Sequence, residues 1–336
     1  MALSYKFFLM DNLFTICYTI RKEVSEMEYV FPDYYKDFRC IGGACKHNCC
    51  IGWEIDIDAD TVAYYRTVTG EMGARLRANI STDGEPHFVL GADERCPFLN
   101  ADNLCDIYIH LGEEHLCGIC SDHPRFKNEL PDRVEIGLGL CCEEAARLIL
   151  GKKTPTGTVG GGESDDEIIT LRDRVIALLQ NREKAISVRI GEMLALCGAE
   201  LPEKDLGEWA EIFLDLERLD ESWTKLLETL RDEWKTIDFD GFAAHMSARQ
   251  TEYEQLLVYL IYRHFANAPD LNEAAARAAF AALVYTIVYA IGALQWTKSG
   301  GFTFADQVEL CRMFSSEIEY SDENVYVLLD VLTEMF

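Results

Sequence analysis

Apolar positions fall into two regimes along the chain. From residue 164 onward they recur three and four apart, in one segment after another. Ser164-Asp-Asp-Glu167 has the form of a capping box, and Ile168, Ile169, Leu171, Val175, Ile176 and Leu179 then trace a helical face. Similar patterns cover 185–197, 203–218, 221–234, 250–265, 271–296, 303–318 and 323–335. Between 38 and 142 the pattern is irregular, with short apolar runs broken by cysteine, glycine and proline. One helix is expected near 58–79, with Asp58 or Asp60 as N-cap, and another over 143–150, stopped at Gly151. Strands are expected only as short pieces near 52–57 and 86–90.

These patterns predict a mainly α chain: an irregular cysteine-rich N-terminal domain with few short strands, then an α-helical bundle. The expected divisions are an extension over 1–27, a cysteine-rich metal-cluster domain over 28–150, a linker over 151–163 and the helical domain over 164–336. The linker's Gly157-x-x-Gly160-Gly-Gly162 is reminiscent of a phosphate loop, but no apolar strand closely precedes it, so it reads as a polar connection. Ala278 to Trp296 carries no charge and approaches the length that spans a bilayer. It is alanine-rich, holds Thr286, Gly292 and Gln295, and is flanked by amphipathic helices. A buried core helix is expected, and no membrane span.

Composition sharpens this picture. Of 336 residues, 49% are apolar, enough for a sizeable core, and the formal net charge is −27. So acidic a surface repels nucleic acid and anionic lipid and suits a lysine-bearing protein partner, although it also serves solubility.

Ten of the thirteen cysteines lie between Cys40 and Cys142; only Cys17, Cys197 and Cys311 fall outside, and these read as small core residues. The early residues lack the features of an export signal, so the expected compartment is the reducing cytoplasm, where clustered thiols mean metal or redox chemistry. Thiols four or five residues apart in a glycine-containing loop can converge on one centre. The spacings in Cys40-Ile-Gly-Gly-Ala-Cys45-Lys-His-Asn-Cys49-Cys50 favour an irregular iron–sulfur cradle; only Cys117-x2-Cys120 has zinc-knuckle form. Zinc and a thiol or disulfide role are the alternatives. Five of the seven histidines, His47, His87, His110, His115 and His123, share this half and are expected as surface or supporting residues rather than ligands.

The order of these motifs resembles the flagellin lysine-N-methylase family. Phe38, Cys40-Ile-Gly-Gly-Ala-Cys45, Cys49-Cys50 and Gly52-Trp53 match its opening motif. Cys96-Pro-Phe-Leu99, Cys105, Leu111-Gly-Glu-Glu114, Cys120, Pro124-Arg125 and Cys142-Glu-Glu-Ala-Ala-Arg147 match the rest. A looser likeness extends to cysteine-cluster proteins described as zinc- or iron-chelating. The family resemblance implies N-methylation of flagellin surface lysines, S-adenosylmethionine as methyl donor and a 4Fe–4S cluster. It places the metal ligands at Cys40, Cys45, Cys49, Cys50, Cys96, Cys105, Cys120 and Cys142, and leaves Cys117 and Cys141 outside; His123 departs from the aromatic residue the pattern has there. Catalytic and donor-binding residues are not identified. Tyr34, Tyr35, Trp53, Glu54, Asp56, Asp58, Tyr64 and Tyr65 are the aromatic and acidic groups near the first loop that could face a cationic donor. The competing functions are a non-enzymatic zinc- or iron-chelating protein and an iron–sulfur redox protein.

Overall fold

The computed structural model describes residues 27–162 and 164–333. The extension over 1–27, with Cys17, lies outside them except for Met27. The described chain is mainly helical, as its apolar spacing predicts.

A four-stranded sheet, in the order β4-β5-β1-β6, joins the two ends of the cysteine-rich region. Its strands are β1 (Glu28–Pro32), β4 (Arg125–Glu129), β5 (Arg133–Leu138) and β6 (Thr158–Val159). β1 runs parallel to β5 with Glu28 opposite Arg133, and antiparallel to β6 with Phe31 opposite Val159. β4 and β5 form a hairpin. β6 belongs to the 151–163 segment, which is further fastened by Asp33 N–H donating to Gly157 O and by a 3.1 Å Lys152–Asp33 ion pair. Gly160 has a φ of +85°, and a Cβ there would stand 2.1 Å from Tyr29 O, so β6 can turn away only at a glycine.

A second, two-stranded ladder pairs β2 (Ile80–Ser81) with β3 (His87–Phe88). The strand expected near 86–90 is thus present in part, whereas 52–57 contributes one bridge, Asp56 to His87. The helix expected over 58–79 is two helices, α1 (Ala59–Thr67) and α2 (Gly70–Asn79). Asp58 caps α1 by accepting from Thr61 N–H at 2.9 Å. The break follows from β-branched Val68 and Thr69 and from Gly70, whose φ is +72°. Two short helices, α3 (Asp106–Leu111) and α4 (Gly118–Asp122), complete this part, and α5 (Glu143–Gly151) matches the expected 143–150 helix.

The bundle comprises α6 (Glu167–Leu179), α7 (Ile186–Cys197), α8 (Leu206–Asp215), α9 (Glu221–Glu233), α10 (Phe239–His245), α11 (Gln250–His264), α12 (Leu271–Ser299), α13 (Phe304–Phe314) and α14 (Asp322–Thr333). The cap of α6 is Asp166, which accepts from Ile169 N–H at 3.0 Å, rather than Ser164. A capping box at Thr303 starts α13, and a π turn over Ser315–Glu319 ends it. α10 is too short for periodicity to reveal.

α12 is the central helix. It is long and apolar enough to cross a membrane, yet 78% of its most apolar window is buried inside the fold. Its seven alanines between Ala274 and Ala282 are all buried, which lets neighbouring helices approach closely.

Two apolar cores result. The large one gathers the bundle together with Tyr34, Phe38, Leu138, Leu140 and Ile149. The small one is built wholly within 55–117, from Ile55, Ile57, Val62, Tyr65, Leu76, Phe88, Phe98, Leu99 and Ile107 with Cys96 and Cys117.

Candidate functional site

The first cysteine loop is wedged between the 100–104 turn and the start of α5. A Cβ on Gly43 would stand 2.5 Å from Asp102 O, so the close approach needs glycine. Glu143, in the first turn of α5, accepts from Lys46 N–H at 2.9 Å and from the Cys45 thiol at 3.7 Å. Cys142 is the N-cap of that helix. Trp53 Nε1–H donates to Cys49 O at 2.5 Å and Cys96 N–H to Cys50 O at 2.8 Å, so the vicinal pair Cys49-Cys50 is held at both sides.

The ten thiols from Cys40 to Cys142 differ in surroundings. Cys40 and Cys49 are exposed; Cys96 and Cys117 are buried. Cys50, Cys105 and Cys120 are half-buried and pack against the small core, around Cys96 and Cys117. Cys142 packs instead against the large core. Cys141 is turned to the bundle, where its thiol bonds to Tyr320 beside Arg263; burial pushes it up to about 12. Cys311, outside the belt, is buried against Gln307 Nε2 at 3.2 Å, as a small core residue should be, and Cys197 ends α7 half-buried.

Electrostatics link the thiols across this grouping, with Cys49 close to Cys50 and Cys105 as well as to Cys45 and Cys142. Burial, assisted by Glu143, Cys142 and Cys49, pushes Cys45 up to about 12 against an opposing backbone hydrogen bond from His47. Burial raises Cys142 too, with Cys40 and Cys49 as nearby thiols. Burial pushes Cys96 up to about 11, with Cys105 and Cys117 adding to it. Two hydrogen-bonded thiol pairs stand out. Cys50 is raised by its bond to Cys49, which is lowered in turn; Cys120 is raised by its bond to Cys117, likewise lowered. Each pair is joined by a thiol–thiol hydrogen bond. Among the described residues, no three His, Cys, Asp or Glu side chains converge closely enough to enclose an ion as they stand. The donor chemistry of this set, all thiol, is of the kind that takes a soft metal or an iron–sulfur cluster.

The histidines have other partners. His47 Nε2 lies 2.8 Å from Glu309, His87 Nδ1 2.8 Å from Glu85 O, and His115 stacks on Tyr64 with centroids 3.9 Å apart. His123 lies 6.0 Å from the Trp53 ring, and burial holds it neutral, down to about 4. The aromatic and acidic candidates are similarly committed. Tyr65 donates to His115 O at 2.8 Å, Tyr35 accepts from Arg125 Nε at 2.9 Å, and Asp58 accepts from Gly118 N–H at 2.8 Å while capping α1. Glu54 stands 3.8 Å from His87, and Asp56 is tied by its backbone to the same residue.

A cleft of about 620 Å³ opens elsewhere, between the C-terminal end of α5, the start of α11 and the 301–304 segment. Arg147, Lys153, His245, Arg249, Glu252 and Phe304 line it. Arg249 pairs with Glu252 at 2.7 Å and Arg147 with Glu144 at 2.6 Å, so the charge of both guanidinium groups is compensated locally, and Lys153 is the third cation of the lining. Sequence reasoning missed it because its residues come from four separated segments with no periodic signal. α5 connects this cleft to the thiols: Cys142 stands at the N-cap position of the helix, and Arg147 and Gly151 meet the cleft further along it.

A family model for the FliB lysine N-methylase C-terminal domain matches residues 203–336, which include the α10, α11 and 301–304 walls of this cleft. The flagellar biosynthetic protein FliU of Salmonella muenchen is 34% identical over 137 residues, 38% of this chain and 79% of the relative. The chain belongs to the flagellin lysine-N-methylase family. The lysine-N-methylases of Salmonella choleraesuis (strain SC-B67) and Salmonella typhimurium (strain LT2) are also 34% identical over 137 residues. The match spans about a third, 33%, of each of these two relatives. No solved structure matches the chain.

Proposed function

We propose that this chain is a cytoplasmic protein lysine N-methyltransferase that uses S-adenosylmethionine and acts on surface lysines of flagellin, with a cysteine-ligated 4Fe–4S cluster as resident group. Its kinship with lysine-N-methylases and with FliU supports the reaction and the flagellar substrate. The single structural observation that carries the reading is the cleft at the C-terminal end of α5, where Lys153, Arg249 and Phe304 come together.

Methyl transfer is a displacement: the lysine amine, deprotonated, forms the N–C bond as the C–S bond of the sulfonium breaks, and the electron pair stays on sulfur. The donor carries an α-carboxylate and an aromatic base. Lys153 supplies a cation for the carboxylate and Phe304 an aromatic wall, beside the Arg147–Glu144 and Arg249–Glu252 pairs. The acidic surface draws a lysine-bearing protein toward the chain. Iron–sulfur clusters, when bound, supply a multi-thiolate cross-link and an electron-transfer centre; the polar transfer itself needs neither.

The test uses anaerobically purified protein, flagellin and S-adenosylmethionine, with intact masses recorded. Mass increments of one methylene per transferred methyl are expected. Lys153→Glu, outside any helix core, should raise the KM for the donor while leaving the KM for flagellin unchanged. Flagellin of unaltered mass after incubation with fully metal-loaded protein overturns the activity; an unchanged donor KM overturns the cleft assignment.

A further inference from the structure

A cavity of about 150 Å³ lies where β1, α5, α6, α11 and the 156–158 segment meet. Tyr34, Thr156, Asp173, Gln255, Tyr259 and Tyr262 are its main polar and aromatic lining. We infer that this cavity takes the alkylammonium side chain of a lysine presented by the protein partner. The inference rests on the lysine-methylating reading above and adds to it a holding site for the substrate, apart from the donor cleft.

Shape is the first argument. Asp173 and Thr158 are exposed, whereas Tyr34 is 5% exposed, Gln255 1%, Tyr259 1% and Tyr262 4%. The cavity therefore has a polar mouth with a carboxylate on its rim, and a floor of three tyrosines and one amide. A space of this size admits a group as large as benzene, which a four-carbon ammonium chain does not exceed. Aromatic rings attract a cation, most strongly where water is excluded.

Hydrogen-bond accounting points the same way. The Tyr34 hydroxyl has no partner among the described residues, although its side chain is almost wholly buried. Gln255 donates to Thr154 O at 3.0 Å and accepts from Thr156 Oγ1 at 2.7 Å, so its carbonyl oxygen keeps one lone pair. An ammonium brings three N–H donors and no acceptor, and these oxygens accept.

Charge decides the sign. Arg172 stands over Tyr262, 5.5 Å from the ring centroid, and pairs with both Asp173 and Glu135. One guanidinium thus serves two carboxylates, and Glu135 Oε1 is buried with no hydrogen-bond partner among the described residues. The nearby Lys152–Asp33 pair is balanced, and Arg263, which bonds the Tyr259 hydroxyl, is matched by Glu319. The excess at the cavity is one negative charge, which an ammonium neutralises.

Cavity and donor cleft are neighbours along the same elements. α5 gives Ile149 to one and Gly151 to the other, α11 gives Gln255 and Glu252, and the chain between gives Thr156 and Lys153. A lysine held in the cavity keeps the partner protein beside the cleft.

The experiment titrates full-length protein with n-butylammonium, followed by saturation-transfer NMR, with butan-1-ol as the neutral isostere. Butylammonium should bind saturably and about tenfold more tightly than butan-1-ol. Asp173→Asn on the rim and Tyr34→Phe on the floor, each checked by circular dichroism, should weaken it about fivefold. Glu167→Gln, an exposed charge change on α6 outside the cavity, should leave it unchanged. With flagellin, the two cavity variants should raise the KM for flagellin and leave the KM for S-adenosylmethionine unaltered. Equal binding of butan-1-ol, unchanged binding in either cavity variant, or equal weakening by Glu167→Gln overturns the inference. Protein that methylates flagellin but does not bind butylammonium overturns the cavity site alone. Protein that binds butylammonium as expected but leaves flagellin unaltered overturns the methyltransferase reading and upholds the ammonium site.

Discussion

His47 Nε2 lies 2.8 Å from Glu309 Oε2, tying the first cysteine loop to α13. Glu309 also holds Arg312 at 2.8 Å, so its carboxylate is fixed from the helix side. Both members of the His47 pair are 38% exposed, so water screens much of the attraction. Glu309→Ala should therefore change global stability by no more than about 0.5 kcal/mol. Local order is another matter, and faster amide exchange over 45–50 is expected. Unchanged exchange there would show that the pair does not hold the loop.

Gly43→Ala should be far more damaging than its size suggests. The added carbon would press on Asp102 O, a backbone atom that cannot rotate away. A loss of roughly 1–3 kcal/mol is expected, as for other overpacked sites, together with reduced metal content. Gly191→Ala on the bundle, where nothing lies within 4 Å, is the control and should melt at or above wild type.

Glu135 on β5 and Arg172 on α6 form a buried ion pair between sheet and bundle. Arg172→Met leaves an uncompensated carboxylate and should cost about 3–5 kcal/mol in urea unfolding. The double variant Arg172→Met/Glu135→Met should recover most of that loss. Equal destabilisation of single and double variants would mean that packing, rather than charge, dominates the site.

Acid should weaken the bundle through Glu319. Burial alone would raise its carboxyl, but Arg263 and the hydrogen bond from His264 outweigh burial and hold it at about 2, below the ordinary 4.5. Because the folded value is the lower one, this contribution is fully present above pH 4.5 and is lost as pH falls toward 2. A shift of that size corresponds to roughly 3 kcal/mol. Glu319→Gln should flatten the dependence of unfolding free energy on pH across that window, which denaturant titrations at several pH values would measure.

Much of the bundle was readable because helices such as α6 and α9 bury one face at regular spacing. The sheet was not, for a reason visible in β5. There the buried positions are Arg133, Glu135, Gly137 and Leu138, so the face that enters the protein carries the charges. An alternation rule that sends apolar residues inward misreads such a strand. The cysteine belt was legible in the sequence as a dense cluster of thiols. Its packing against two cores was not, because whether Cys50 and Cys142 share surroundings depends on tertiary packing that spacing along the chain does not encode. Cys117 illustrates this: only its spacing from Cys120 hinted at the small core it occupies.

The pairing of β1 with β5 makes the thiol-bearing stretch one long excursion, leaving the sheet after Pro32 and returning at Arg125. Closing such a loop costs entropy that grows only logarithmically with its length, roughly 0.6 kcal/mol for each doubling. Residues added at an exposed turn of the excursion, such as Asp83-Gly84, therefore burden the sheet very little. The stretch between those strands is where this architecture can most readily absorb insertions and deletions while its helical half stays unchanged.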